Sequence, residues 1–175
     1  MKIILRPTTN NDIDTIYDLH TKCFIKSEHW YRSIIMNYLS TGLLLETTIK
    51  DKTKVIGTLL HGDIVPCNEA IFGNQGDEFI PTNDYGKSFL SNDLHKKPMH
   101  GIVMLCTHPN FRNKGLGQKL INKFHLTHPN KILCLNTRAS NPAYNLYKKV
   151  GYDLIGRIKN KYFLPTEDSL FMVKK

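Results

Sequence analysis

Apolar positions recur along the chain in two rhythms, every second residue and roughly every 3.6 residues, and the changes of rhythm mark the elements. Ile3 to Arg6 reads as a short strand. Asn10, Asn11 and Asp12 are cap-type residues, and Ile13, Ile16, Leu19 and Cys23 follow them at helical spacing. Ser27 stands where it would cap a second helix through Trp30, Tyr31, Ile34, Ile35 and Tyr38. After Gly42, the runs Leu43 to Ile49 and Val55 to His61 are rich in Leu and β-branched residues, and the polar turn Lys50-Asp51-Lys52-Thr53 joins them as a hairpin.

From Asp63 to about Lys97 the pattern dissolves into Asn, Asp, Gly and Pro, with scattered apolar positions at Ile71, Phe72, Phe79, Ile80, Phe89 and Leu90. This is long for a connecting loop, so residues 63–97 are expected to be either a disordered surface insertion or a flap over a ligand. Order returns with a strand over Ile102 to Thr107, a helix over Leu116 to Leu126 and a strand over Lys131 to Asn136. A helix over Pro142 to Val150 follows, then closing strands near Asp153–Ile158 and Ser169–Val173. Strands alternating with helices imply an α/β fold, and nothing repeats or divides the chain, so residues 1–175 are read as one domain.

Composition narrows the class. Hydrophobic residues at 41% and charged residues at 22% fit a globular domain of 175 residues, which removes roughly two-thirds of its surface from water on folding. The apolar runs fall far short of the roughly 20 residues needed to cross a bilayer. Arg6 and Pro7 interrupt the opening apolar run after three residues, so a cytoplasmic location is expected. Cys23, Cys67, Cys106 and Cys134 form no Cys-x-x-Cys pair, which points to packed thiols rather than a zinc site or a disulfide framework. Lys and Arg outnumber Asp and Glu by 24 to 15, which favours anionic ligands. The excess is scattered and carries no basic-aromatic motif, so sequence-specific nucleic-acid binding is not expected.

The chemistry concentrates in Arg112-Asn113-Lys114-Gly115-Leu116-Gly117, between the strand ending at Thr107 and a helix carrying Leu116, Leu120, Ile121 and Phe124. A helix N-terminus exposes unpaired N–H groups at the positive end of the peptide dipoles, which stabilises a phosphate there. Gly115 and Gly117 remove Cβ atoms that would hold phosphates away, and Arg112 and Lys114 add charge-assisted contacts. No metal is called for. No Gly-x-x-x-x-Gly-Lys-Ser/Thr occurs, and the glycine loop follows a late strand, which argues against a kinase or a dinucleotide-binding dehydrogenase.

This loop, with Asn141-Pro142-Ala143-Tyr144-Asn145-Leu146-Tyr147-Lys148-Lys149-Val150-Gly151-Tyr152 downstream, resembles the two signatures of the GNAT superfamily of N-acetyltransferases. The resemblance implies a GNAT fold: a central mixed, mostly antiparallel twisted sheet flanked by helices, here with a long insertion between the third and fourth strands. It implies acetyl-CoA as cofactor, with CoA as product, bound by Leu105, Cys106, Thr107, Arg112, Asn113, Lys114, Gly115, Leu116, Gly117, Gln118, Asn141 and Tyr147.

Segments 11–16 and 23–32 and the closing Lys161-Tyr162-Phe163 and Glu167-Asp168-Ser169-Leu170-Phe171-Met172 further resemble Nα-acetyltransferase catalytic subunits acting on Met-hydrophobic N-termini. By that resemblance Phe24, Glu28, Tyr162 and Phe163 border the acceptor, a peptide N-terminus, and proximity to the ribosome or nascent chain is implied. Tyr147 would protonate the departing thiolate. Two departures weaken the match: the family's Tyr before the loop and His on the next strand align with Gly101 and Leu135. His100, with an ordinary pKa near 6.5, then stands as a substitute base or as a surface residue, and Glu28 as a second base. A small-amine acetyltransferase and a catalytically silent CoA-binding module are the competing readings.

Overall fold

The computed structural model describes residues 2–64, 79–92 and 99–175. The strands are β1 (Ile3–Pro7), β2 (Leu43–Ile49), β3 (Lys52–Ile64), β4 (Phe79–Pro81), β5 (Met99–Thr107), β6 (Leu133–Arg138), β7 (Asp153–Phe163) and β8 (Thr166–Lys174). They form one sheet in the order β1-β2-β3-β5-β6-β8-β7-β4. β5 and β6 run parallel, while β1/β2, β2/β3, β6/β8, β7/β8 and β4/β7 are antiparallel. The helices are α1 (Ile13–Cys23), α2 (Arg32–Met36), α3 (Asp84–Ser91), α4 (Leu116–Thr127) and α5 (Ala143–Lys149). This is the mixed, mostly antiparallel α/β architecture expected. No described helix is long and apolar enough to cross a membrane.

The chain divides into two units, Met1–Gly62 with Val103–Pro129, and Asp63–Ile102 with Asn130–Lys175. In the first, α1 presents Ile16 and Leu19 to a core that also holds Ile35, Leu39, Leu44, Leu60, Met104 and Cys106. The turn into α1 is pinned electrostatically. Both terminal nitrogens of Arg6 meet the Asp12 carboxylate, at 2.8 and 2.7 Å, and Arg6 Nε reaches Glu46 at 3.1 Å. Asp12 also accepts from the Thr9 backbone N–H at 2.7 Å, so its fork serves a guanidinium and a turn at once.

The second helix departs from expectation. A 3₁₀ turn at Lys26–Glu28 comes first, and α2 begins only at Arg32, with Tyr31 in the cap position in place of Ser27. The cause is tertiary: the Trp30 backbone N–H donates to His20 Nε2 at 2.8 Å, which holds residues 29–31 extended.

In the second unit, residues 79–92 of the expected insertion form a strand and a capped helix. β4 pairs with β7, Phe79 opposite Ile158, and Asn83 Oδ1 accepts from the Gly86 N–H at 2.8 Å at the start of α3. Gly86 lets α3 approach β7 closely, since a Cβ there would lie 1.9 Å from the Ile155 carbonyl oxygen. Phe89 is buried with Met99, Cys134, Ile155, Ile158, Phe171 and Val173. Phe79 and Phe89 are thus packing residues. Ile71 and Phe72 lie outside the described residues.

The Arg6–Asp12 pair predicts an acid dependence of stability. The Arg6 hydrogen bond holds Asp12 at about 2, against an unfolded value near 3.9. A depressed carboxylate stabilises the fold fully above the unfolded value, and the contribution disappears as pH falls from about 4 through about 2. For a side chain only 10% exposed this amounts to about 2 kcal/mol. Chemical unfolding of Asp12→Ala should show that loss at pH 7 and a smaller difference from the parent at pH 2.5.

Candidate functional site

The first unit carries the phosphate-type loop. β5 ends at Thr107, a 3₁₀ turn at Pro109–Phe111 buries Phe111, and the chain reaches α4 through Asn113 at φ 59° and Gly115 at φ 72°. Gly115 fits that left-handed conformation without strain, and a Cβ built there meets nothing within 4 Å. It is also the N-cap residue of α4, where no side chain caps the helix and no acidic residue occupies the first turn. The N–H groups of Leu116, Gly117 and Gln118 therefore open the helix without a side-chain acceptor, while buried Leu116 anchors its start.

Cations gather on the turn before α4. Arg112 Nε donates to the Thr107 carbonyl at 3.2 Å, and the ammonium groups of Lys114 and Lys54 lie 5.3 and 5.9 Å from the Phe111 ring centroid. Burial first, then the charges of Lys54, Lys22 and Arg112, hold His108 below its ordinary value. The turn that leads into α4 thus carries Arg112 and Lys114, with Lys54 and Lys22 close to its residues Phe111 and His108. Leu105 and Thr107 are half-buried, whereas the Cys106 side chain belongs to the core against α1.

The same unit holds Phe24 and Glu28, on a segment organised by a residue the sequence reading passed over. His20 is 1% exposed on α1. Its ring centroid lies 4.8 Å from that of Phe24, 5.8 Å from that of His29 and 5.9 Å from that of Trp30. His29 Nε2 closes the loop on the Phe24 carbonyl at 3.0 Å. The only sequence signal was a histidine on the apolar face of α1, beside Leu19 and Cys23.

The second unit holds the remaining predicted residues. Gly101 pairs with Cys134 and Ile102 with Leu135, so the two departures from the family pattern lie on adjacent parallel strands. A Cβ at 101 would lie 2.0 Å from Ile64 Cδ1, so Ile64 fills the space in which a tyrosine would start, and Leu135 is 1% exposed. His100 is buried rather than a surface residue, and its Nδ1 meets Asp63 Oδ1 at 2.6 Å. Asp63 also accepts from Lys131 at 3.1 Å, and the His100 contact followed by Lys131 holds its carboxyl below the usual range. Because neighbours on a strand face opposite ways, His100 points away from the direction a side chain at 101 would take.

Asn141 Oδ1 accepts from the Ala143 N–H at 2.9 Å and so shapes the entry to α5. Tyr147 is 7% exposed with its ring set edge-on to Tyr152, 6.1 Å between centroids. Tyr162 lies under the Arg138 guanidinium at 4.2 Å. Arg138 donates to the Pro165 carbonyl at 3.0 Å and to Glu167 at 3.2 Å, and Glu167 accepts from the Ser140 hydroxyl at 3.0 Å. This network, which ties the β7–β8 hairpin end to the end of β6, was not foreseen for Arg138. Phe163 pairs with Thr166 through its backbone, and its side chain lies outside the described residues.

Comparison with known proteins finds one family model and several solved structures. The Acetyltransferase (GNAT) domain family matches residues 79–154. Arabidopsis thaliana NAA60, solved in complex with a bisubstrate analogue, is similar at TM-score 0.74 and 17% identity over 98% of this chain and 97% of that one. Arabidopsis thaliana Naa50 in complex with the bisubstrate analogue CoA-Ac-MVNAL is similar at TM-score 0.70 and 15% identity, over 100% and 99%. The ribosomal-protein-S18-alanine N-acetyltransferase of Escherichia coli is similar at TM-score 0.68 and 16% identity, over 99% and 93%. No curated protein matches by sequence. At these identities the likeness establishes the fold.

The His20 latch predicts a pH-dependent loop. Burial, then the charge of His29, holds His20 below its ordinary 6.5, so the folded loop selects the neutral ring whose Nε2 accepts from Trp30. A depressed histidine stabilises the latch above the unfolded pKa and loses it as pH falls below about 6.5. Trp30 is the one tryptophan of the chain. Its emission should shift as pH falls from 7 to 5 in the parent, whereas His20→Ala should show the shifted emission already at pH 7.

Proposed function

We propose that the chain transfers an acetyl group from acetyl-CoA to a primary amine by direct attack, and that the acceptor is a protein N-terminal α-amine. The observation that carries the proposal is the uncapped N-terminus of α4 behind left-handed Gly115, with Arg112, Lys114, Lys54 and Lys22 on or near the turn that precedes it. That arrangement fits a pyrophosphate, and Gly117 and Gln118 would meet it with backbone N–H groups.

Acetyl-CoA supplies an acyl carbon activated as a thioester. Backbone N–H groups between Leu105 and Thr107 are assigned to the carbonyl oxygen, where fixed dipoles stabilise developing charge at little reorganisation cost. Asn141 and Tyr147 are also assigned to the cofactor. Phe24, Glu28, Tyr162 and Phe163 are assigned to the acceptor, Phe24 and Glu28 on the segment that His20 holds and Tyr162 beneath Arg138.

The amine must shed one proton before attack, and the departing sulfur must gain one. Proton removal is assigned to His100, which Asp63 orients and which would act from the face of β5 opposite to a side chain at 101, with Glu28 as the second candidate on the acceptor loop. Protonation of the thiolate is assigned to Tyr147. Both Nα-acetyltransferase neighbours and the sequence of the closing hairpin support a peptide acceptor. A soluble setting near nascent chains follows from that acceptor.

A second reading has its own observation. The space above Gly101 is filled by Ile64 and Leu135 is buried, so the family's usual proton-handling pair has no counterpart on β5 and β6. This favours a small amine with a different proton path. With acetyl-CoA saturating, a peptide beginning Met-Leu should be acetylated with at least tenfold higher kcat/KM than spermidine. The reverse ranking moves the enzyme to small amines, and acetyl-CoA binding without turnover on either acceptor makes it a silent module.

A further inference from the structure

Two cysteines left out of the acetyl-transfer account stand together at the end of β5. Cys23 is the last residue of α1, half-buried, and packs against the core that contains fully buried Cys106. The Cys23 thiol donates to the Thr107 carbonyl at 3.3 Å, the same oxygen that accepts from Arg112 Nε at 3.2 Å. A thiol and a guanidinium therefore meet at one backbone oxygen, on the residue next to Cys106, whose own thiol is a hydrogen-bond partner of Cys23. We propose that Cys23 and Cys106 are a peroxide-reactive pair that closes into a reversible disulfide at the entrance to the phosphate-type loop.

The two thiols are chemically unequal, as a reacting and a resolving sulfur must be. A hydrogen bond from Cys106, and then one from Arg112, brings Cys23 down to about 7 despite its burial, against roughly 8.5 for a free thiol. Burial pushes the Cys106 thiol up. Cys23 is thus held below the range of a free thiol beside a cation, the setting of reactive cysteines. Cys134 is the contrast: it is buried in the second unit and pushed up to about 12, without a cation among the causes.

The chemistry closes with hydrogen peroxide as oxidant. The Cys23 thiolate attacks one peroxide oxygen, the O–O bond breaks, and hydroxide leaves to take up a proton as water; the sulfur is oxidised by two electrons to a sulfenic acid. Cys106 then attacks the Cys23 sulfur, the S–O bond breaks as the S–S bond forms, and the departing hydroxide takes the Cys106 proton as a second water. The linked form ties the end of α1 to the strand from which the loop departs.

The whole chain, treated with equimolar hydrogen peroxide, quenched by alkylation and digested without reductant, should give a Cys23–Cys106 linked peptide that dithiothreitol abolishes, with Cys134 still alkylated. In Cys106→Ser, Cys23 should be trapped by dimedone as the sulfenic acid and should then go on to sulfinic acid. Overturning results are an unlinked Cys23 in the parent, whether reduced or sulfinic, or a Cys23 linked to Cys67, to Cys134 or to a second chain. Acetyl-CoA added before peroxide should slow linkage at least fivefold, and this arm alone rests on the acetyl-transfer reading. Linkage that forms at an unchanged rate counts against the cofactor site and leaves the thiol pair standing.

Discussion

The Thr107 carbonyl is the pivot of the molecule's chemistry. At the end of β5 it accepts from Arg112 and from Cys23, so it fixes at once the first residue of the loop and the last residue of α1. A strand that ends this way can turn through Asn113 and Gly115 into α4 without spending a side chain on capping the helix. A Gly at the N-cap gives up only a few tenths of a kcal/mol relative to Ser or Asp. The first N–H groups of the helix are left without a side-chain acceptor, and buried Leu116, Leu120, Ile121 and Phe124 hold the helix in place without the cap.

Order in the segment after α1 comes from a different source. His20 takes the place that an aliphatic residue would fill on the buried face of α1 and uses it to bind the Trp30 backbone, so the segment bearing Phe24 and Glu28 is shaped by an imidazole. In the second unit, Arg138 plays the comparable part for Tyr162, joined to Glu167 and to the Leu164–Pro165 carbonyls. Phe24 and Tyr162 are thus each held beside a polar residue, His20 and Arg138 respectively. Ile64 closes the one direction from which a side chain at 101 would have acted.

What the sequence made legible was local. The glycine loop, with Arg112 and Lys114, and the helix behind it lie within residues 112–127, and the succession of strands and helices around them follows from the change of hydrophobic period. Elements set by distant partners were misplaced. Ser27 has good cap chemistry, yet the Trp30–His20 bond ten residues apart overrides it and delays α2 to Arg32. β3 runs on to Ile64 and β5 starts at Met99 because strand ends are set by pairing rather than by propensity. Strand β4 has three residues and α3 has eight with a glycine inside, too little periodicity to stand out, and their burial depends on β7 far along the chain. The Asp63–His100 contact spans 37 residues and left no trace in spacing.

The central claim is that a polyanionic cofactor seats on the bare end of α4. Titration of isotopically labelled protein with acetyl-CoA, followed by backbone amide resonances, tests it at the atoms concerned. The account predicts saturable shifts largest at Gly115, Leu116, Gly117 and Gln118, reproduced by CoA and sharply reduced with pantetheine, which lacks the phosphates. Shifts confined to other segments, or equal shifts with pantetheine, would contradict it.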